Sequence, residues 1–312
     1  MFPWASTTFN PATDIPDLSG RVILVTGGNT GLGKQYILEL CRHNPAQVWL
    51  VARNLDKAQA AVAEIQSQVP GAPIEILEIN LSSLSSVEKA AREFQQRCDG
   101  LDILMLNAGI IMAPLGKTQD GYEVHFGTNY MGHALLTKLL LPTIEKTIAT
   151  RESPDARILI VSSSGYKLAP KEGIAYESVK TTCADWWNMS RYGQSKLALN
   201  LWTRQLAKHY PNIKCASMHP GVVETELGVP RGVELSYWSS FLRLASLTLL
   251  CYVSVEEGVK GQLWATATKD LQSGEYYTPI GKVETLKAEW RDDALSKKLW
   301  DWTEEELKPH AG

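Results

Sequence analysis

Residues 22–33 read Val22-Ile23-Leu24-Val25-Thr26-Gly27-Gly28-Asn29-Thr30-Gly31-Leu32-Gly33. A β-branched apolar run over 21–26 predicts a strand, and residues 34–42 predict a helix. Strand, glycine turn and helix in that order open a βαβ unit. Glycine lets the backbone turn tightly and approach a phosphate with no Cβ in the way. The helix behind it offers free N–H groups and a positive dipole end to a pyrophosphate. Glycine clusters are also common in ordinary βα turns, so the loop alone does not decide. Gly28 to Lys34 nearly spells a P-loop, but Gln35 stands where Ser or Thr would hold magnesium. The dinucleotide reading remains, with Gly27, Gly31 and Gly33 spaced Gly-x-x-x-Gly-x-Gly.

The rhythm continues beyond the loop. Strands are expected at 48–52, 74–79, 102–106, 157–161 and 214–218. Helices are expected from the end of the second strand to about 69, then at 87–97, 122–150 and 192–209. Strands alternating with helices indicate a parallel sheet covered on both faces. Right-handed crossovers make it doubly wound. Residues 1–20 read as an N-terminal arm, and 21–312 as one α/β domain without repeats or linkers. A charged segment over 292–306, with Trp300 and Trp302, reads as a solvated C-terminal helix with one apolar face.

Composition narrows the partners. The 312 residues are 44% hydrophobic, enough for a large core, and the net charge of -3 without a basic stripe argues against nucleic acid. Cys41, Cys98, Cys183, Cys215 and Cys251 are widely spaced, with no Cys-x-x-Cys and no zinc spacing. They read as core thiols in a reducing compartment, and no metal site is expected. His125, His133 and His219 fall in different elements and read as ordinary imidazoles. The N-terminus lacks a basic region followed by an apolar run, so no signal peptide is apparent. The most apolar stretch, 241–255, is too short to span a bilayer and carries Arg243. It reads as a lid helix or a surface-associated helix. A cytoplasmic location is expected, with peripheral membrane contact left open.

Two further features bear on chemistry. The second strand ends Val51-Ala52-Arg53-Asn54, with no acid to bond a ribose 2′-OH. Arg53 can pair with a 2′-phosphate through its planar fork, which favours NADP(H), although a solvated loop arginine is the plainer alternative. Tyr192 and Lys196 stand four apart, on one face of a helix. An ammonium beside a phenol favours phenolate and tunes it as a proton donor. Alone the pair is weak, since Tyr-x-x-x-Lys also arises by chance.

The motifs in order give the resemblance. The glycine loop, Asn107-Ala108-Gly109, Asn129 in Asn-Tyr-Met-Gly-His, Ser162-Ser163, Tyr192 with Lys196, and Pro220-Gly221 follow one another as in short-chain dehydrogenases/reductases. From Arg21 to the C-terminus the chain is similar to the retinol-dehydrogenase-like branch and to fungal natural-product oxidoreductases. The resemblance implies a single-domain Rossmann-like doubly wound sheet of about seven strands. It implies that Tyr192 is the general acid, that Lys196 lowers its pKa and bonds the nicotinamide ribose, that Ser163 stabilises the carbonyl oxygen, and that Asn129 holds a relay water. The implied cofactor contacts are Gly27, Asn29, Thr30, Gly31, Leu32, Gly33, Arg53, Asn80, Leu81, Asn107, Ala108, Gly109, Tyr192, Lys196, Pro220, Gly221, Val223 and Thr225, with Thr225 at the carboxamide. Residues 222–253, rich in apolar groups, are the expected substrate lid.

Two departures stand out. Asn80 replaces the usual Asp before Leu81, and its amide oxygen is left to accept from the adenine amino group. Ser163 and Tyr192 lie 29 positions apart, and the extra chain holds Tyr176, Trp186, Trp187 and Met189. These line an entrance or pack on the domain. The expected function is NADPH-dependent reduction of an apolar ketone or aldehyde, lipid-like or from secondary metabolism, with alcohol oxidation as the reverse. The alternative is a non-redox protein of the same fold, a dinucleotide sensor, scaffold or rearrangement enzyme. A homodimer is left open.

Overall fold

The structure, a computed structural model, describes residues 8–152, 154–223 and 252–310. Its centre is a seven-stranded, wholly parallel sheet in the order β3-β2-β1-β4-β5-β6-β9. The strands are β1 Val22–Thr26, β2 Gln47–Ala52, β3 Ile74–Glu78, β4 Ile103–Leu106, β5 Ala156–Val161, β6 Ile213–Met218 and β9 Tyr276–Tyr277. Two further short strands, β7 Val222–Val223 and β8 Tyr252–Val253, pair parallel to each other outside it. The doubly wound sheet expected from the alternation is therefore the fold.

Side-chain alternation builds a core on each face. Leu24 enters one apolar cluster, while Ile23 and Val25 enter the other. Helices α4 (Leu84–Arg97), α5 (Gly132–Thr150) and α6 (Asn188–His209) cover the first face, together with the C-terminal helix Asp293–Leu307. Helices α2 (Gly31–Cys41), α3 (Leu55–Gln68) and Lys260–Ala267 cover the second. Strand residues covered on both sides read as near-continuous apolar runs, which is why β2, β4 and β5 stand out in the sequence. The first described residues form a one-turn helix, α1 (Pro11–Asp14), and Phe9, Ile15 and Leu18 are buried in the second core.

The differences from the sequence reading are local. The helix expected over 122–150 does not begin at Tyr122, because the Glu123 N–H bonds the Val179 carbonyl and Glu123 bridges to Lys117. The segment Phe126–Met131 is then wound as a π-helix before α5 continues. β9 has only two residues, too few to show a period.

The chain runs outward from β1 to β2 and β3, then crosses back to β4 on the other side of β1. Loops after β1 and β4 diverge and leave a crevice at the carboxyl edge, the usual ligand position in such sheets. The glycine loop lies there. A Cβ on Gly33 would stand 2.3 Å from the Gly27 carbonyl oxygen and 2.6 Å from Asn107 Nδ2, so α2 meets β1 and β4 only through a glycine. Gly33→Ala is expected to cost about 1–3 kcal/mol by overpacking, read as a lower urea midpoint. Gly116→Ala, with nothing within 4 Å of its added Cβ, is the control and should change stability by less than about 0.5 kcal/mol.

Candidate active site

At the carboxyl edge the polar backbone is tied by side chains. The Thr26 hydroxyl accepts from the Asn107 N–H at 2.9 Å and the Ala108 N–H at 3.0 Å. It lies 3.0 Å from His133 Nε2, and His133 Nδ1 lies 2.9 Å from the Asn129 carbonyl. A carbonyl only accepts, so Nδ1 carries the proton and the hydroxyl donates to Nε2. Asn107 Nδ2 donates to the Thr26 carbonyl at 2.9 Å and the Gly27 carbonyl at 3.3 Å, while Gln262 Nε2 donates to Asn107 Oδ1 at 3.1 Å. These bonds join β1, the turn after β4 and α5 into one rigid floor.

The glycine loop leads into α2 with its N-terminus open. Thr30 makes no side-chain cap bond, whereas Asn54 and Ser83 cap α3 and α4. The first N–H groups of α2 are thus left for an anion, with the dipole behind them. A backbone cradle that a Cβ on Gly33 would fill fits a dinucleotide pyrophosphate. Leu32 and Val223 both pack on Gly258, which brings the start of α2 against the segment after β6. Arg53 is exposed at the end of β2, and no hydrogen bond or ion pair among the described residues engages it. Asn80 is engaged within its own turn. Its Oδ1 already accepts from the Ser82 N–H at 3.1 Å and the Ser82 hydroxyl at 2.7 Å. The local turn thus already uses the acceptor that the sequence leaves for an adenine amino group.

The four residues expected to carry chemistry come together. Asn129 sits in the π-helical turn, wholly buried. Its amide donates to the Ile110 carbonyl at 3.0 Å and to Ser195 Oγ at 3.0 Å, and accepts from the Ile110 N–H at 2.8 Å. A π turn inside a helix shifts the direction of the side chains that follow and recurs at functional sites. Gly109 lies between Asn129 and Lys196; its added Cβ would be 3.4 Å from Asn129 Oδ1 and 3.5 Å from Lys196 Nζ. Lys196 Nζ donates to the Val161 carbonyl at 2.8 Å and stands 5.7 Å from the Tyr192 ring centroid. Ser163 Oγ accepts from the Gly165 N–H at 3.0 Å, which leaves its proton free to donate. A Cβ on Gly165 would meet both Tyr192 Cε1 at 2.9 Å and Ser163 Oγ at 3.2 Å. Ser162 points the other way and bonds the Lys196 carbonyl.

Electrostatics differ from the simple pairing expected of Tyr192 and Lys196. Burial holds the Tyr192 phenol above its ordinary range, and the Ser163 hydroxyl pulls it back in part. Burial also pushes the Lys196 amine down to about 7. Loss of water is the leading cause for both, so each group is biased toward its neutral form.

Several apolar side chains on the segments after β4 and β5 and at the start of α6 are exposed. Met112 is 51% exposed, Leu115 54% and Trp187 62%, and Leu168 is exposed as well. Asn188, next to Trp187, bonds the Ala113 carbonyl, which brings Trp187 to the same rim as Met112 and Leu115. Tyr176 instead packs inward, its ring 5.5 Å from Trp302. Thr225 and residues 224–251 of the expected lid lie outside the described residues. No helix among the described residues is long and apolar enough to cross a membrane.

Thr26, His133 and Gln262 escape a sequence reading. Each is a common residue in an apolar run, and only the wound sheet brings them to Asn107 and Asn129.

Comparison with known proteins identifies the family. The family model described as short chain dehydrogenase matches residues 21–188. A short-chain dehydrogenase/reductase of Aspergillus calidoustus, drtF, is 34% identical over 308 residues, covering 94% of this chain and 96% of its own. Retinol dehydrogenase 11 of Mus musculus is 32% identical over 289 residues, covering 91% and 85%. The crystal structure of NADPH-bound carbonyl reductase from chicken fatty liver superposes with a TM-score of 0.63 at 26% identity, covering 86% of this chain and 100% of that one.

The floor beneath the site makes a pH-dependent contribution to stability. Burial lowers His133 from its ordinary 6.5 to about 4, against the Asn129 carbonyl, which raises it, and with Lys196 lowering it further. The unfolded chain therefore takes up the proton first as pH falls. Stability held above about pH 6.5 is lost toward about pH 4, on the order of 3 kcal/mol. Urea unfolding at about pH 7 and about pH 4.5 should show the fall, and His133→Gln should reduce it. His219, also lowered to about 4 mainly by burial, leaves a residual slope.

Proposed function

The chain belongs to the short-chain dehydrogenase family of oxidoreductases, and from that premise we propose that it reduces the carbonyl group of an apolar small molecule with NADPH. The observation that carries the reading is the convergence of Ser163, Tyr192, Lys196 and Asn129 beside an uncapped, glycine-lined helix N-terminus. NADPH supplies a hydride to the carbonyl carbon when bound. The α2 N–H groups and the glycine loop hold its pyrophosphate, and Lys196 bonds its nicotinamide ribose. Arg53, exposed and unengaged, takes the 2′-phosphate, and Ala52 leaves no carboxylate to repel it. The NADPH-bound carbonyl reductase is consistent with this preference.

As negative charge develops on the substrate oxygen, Ser163 donates a hydrogen bond to it. Tyr192 donates the proton that completes the alcohol. The neutral phenol favoured by burial is the form this requires in the reductive direction. Asn129 is locked to Ile110 and Ser195, and it holds the backbone beside Lys196 for a relay water. The exposed apolar rim of Met112, Leu115, Leu168 and Trp187 favours a substrate with an extended apolar body.

Tyr192→Phe keeps the ring and its packing but removes the proton. It should fold, bind NADPH as before, and lose about 10²- to 10⁴-fold in kcat on a carbonyl that the unmodified protein reduces. Full activity in that variant would overturn the assignment and favour a non-redox role. Arg53→Ala should weaken NADPH binding about 10- to 100-fold and leave NADH binding nearly unchanged, as titrated by quenching of protein fluorescence. Equal affinity of the unmodified protein for both cofactors would remove Arg53 from this role.

A further inference from the structure

Arg191 stands directly before Tyr192, and its side chain is buried in the same helix. Its Nη1 donates to Glu123 Oε1 at 3.1 Å, and Glu123 is wholly buried. The same oxygen lies 3.0 Å from His125 Nδ1, and Oε2 accepts from the Phe126 N–H at 2.8 Å. His125 Nε2 accepts from the Ala113 N–H at 3.1 Å, so the ring carries its proton on Nδ1. The Ala113 carbonyl in turn accepts from Asn188 Nδ2 at 2.9 Å and faces Arg191 Nη2 at 3.4 Å. The His125 ring stands edge-on to the Tyr192 ring, centroids 6.2 Å apart at 77°.

One buried ion pair therefore ties three pieces together: the helix of Tyr192, the start of the helix of Asn129, and the loop after β4. That loop is fixed twice. Ile110 is held through both backbone groups by Asn129, and Ala113 by the charged cluster. Between the two anchors Met112 adopts φ 53°, a left-handed conformation that is costly for a long side chain. Such strain persists only where the surroundings over-determine it, and it concentrates at functional sites. Burying two charges is also a poor way to gain stability, since an apolar replacement is often neutral or better. Both costs fall within the shell around Tyr192, and none of these groups needs to touch the reacting atoms.

We propose that the Glu123–Arg191 pair is a positioning device that aims the Tyr192 phenol at the substrate oxygen and holds Met112 on its strained turn as a fixed wall for the substrate's apolar body. Glu123 and Arg191 are positioning residues, and their role rests on the reading of Tyr192 as proton donor.

The test uses the double variant Glu123→Gln/Arg191→Met, which removes both charges together and leaves neither buried alone, beside Arg191→Lys and Tyr192→Phe. NADPH affinity should stay within about two-fold, because no hydrogen bond of the cluster reaches the glycine loop or α2. The double variant should lose on the order of 10- to 100-fold in kcat, as expected for a misplacement of about 1 Å. The deuterium isotope effect with 4,4-dideuterated NADPH should rise, because the chemical step becomes slower than product release. Arg191→Lys keeps the charge opposite Glu123 without the fork and should recover part of kcat; if the double variant does not fold, this variant decides. Unmodified kcat and isotope effect in the folded variants, with Tyr192→Phe inactive, would overturn the positioning role and leave the proton donor standing. An active Tyr192→Phe would instead remove the reading beneath it.

Discussion

A parallel strand ends in backbone groups that its neighbours cannot all pair, and burying them without partners costs far more than pairing them gains. At the carboxyl edge of this sheet that demand is met by side chains. Thr26 takes the Asn107 and Ala108 N–H groups, Asn129 takes both backbone groups of Ile110, and Lys196 takes the Val161 carbonyl. Two of these three satisfiers, Asn129 and Lys196, are also residues we propose for catalysis. The site and the end of the sheet are thus one structure, and a change that loosens the first exposes the second.

The same dryness sets the chemistry. Water that would stabilise a phenolate or an ammonium is excluded, so Tyr192 is raised and Lys196 is lowered. A neutral phenol beside an amine near its titration point is suited to giving up a proton when charge appears on a neighbouring oxygen. Ser163 is the polar contact that links the two requirements. It accepts from Gly165, which leaves its own proton free, and it moderates the Tyr192 shift.

Much of this was legible in the sequence because it depends on local period and on glycine. The runs that became β1, β2, β4 and β5 are buried on both faces and had to be apolar. The glycine loop, Asn129, Ser163, Tyr192 and Lys196 keep a recognisable order along the chain. What remained hidden depends on tertiary placement. Glu123 and His125 carry no sign of burial in the sequence, yet both are wholly buried. Nothing in a linear reading joins them to Arg191, 66 positions and more away, or to the strained turn at Met112. The local use of the Asn80 oxygen is hidden for a related reason, because only the folded turn brings Ser82 to it. β9 is too short to carry a pattern, although its pairing with β6 completes the sheet.

The central claim is that these residues direct hydride and proton to one carbonyl group. The most direct measurement is product analysis after incubating a panel of apolar ketones and aldehydes with the protein and 4,4-dideuterated NADPH. The account predicts an alcohol with one deuterium on the carbinol carbon and an oxidised cofactor in equal amount. NADPH that binds tightly but transfers no deuterium to any carbonyl of the panel would contradict it and point to a dinucleotide-binding protein without redox turnover.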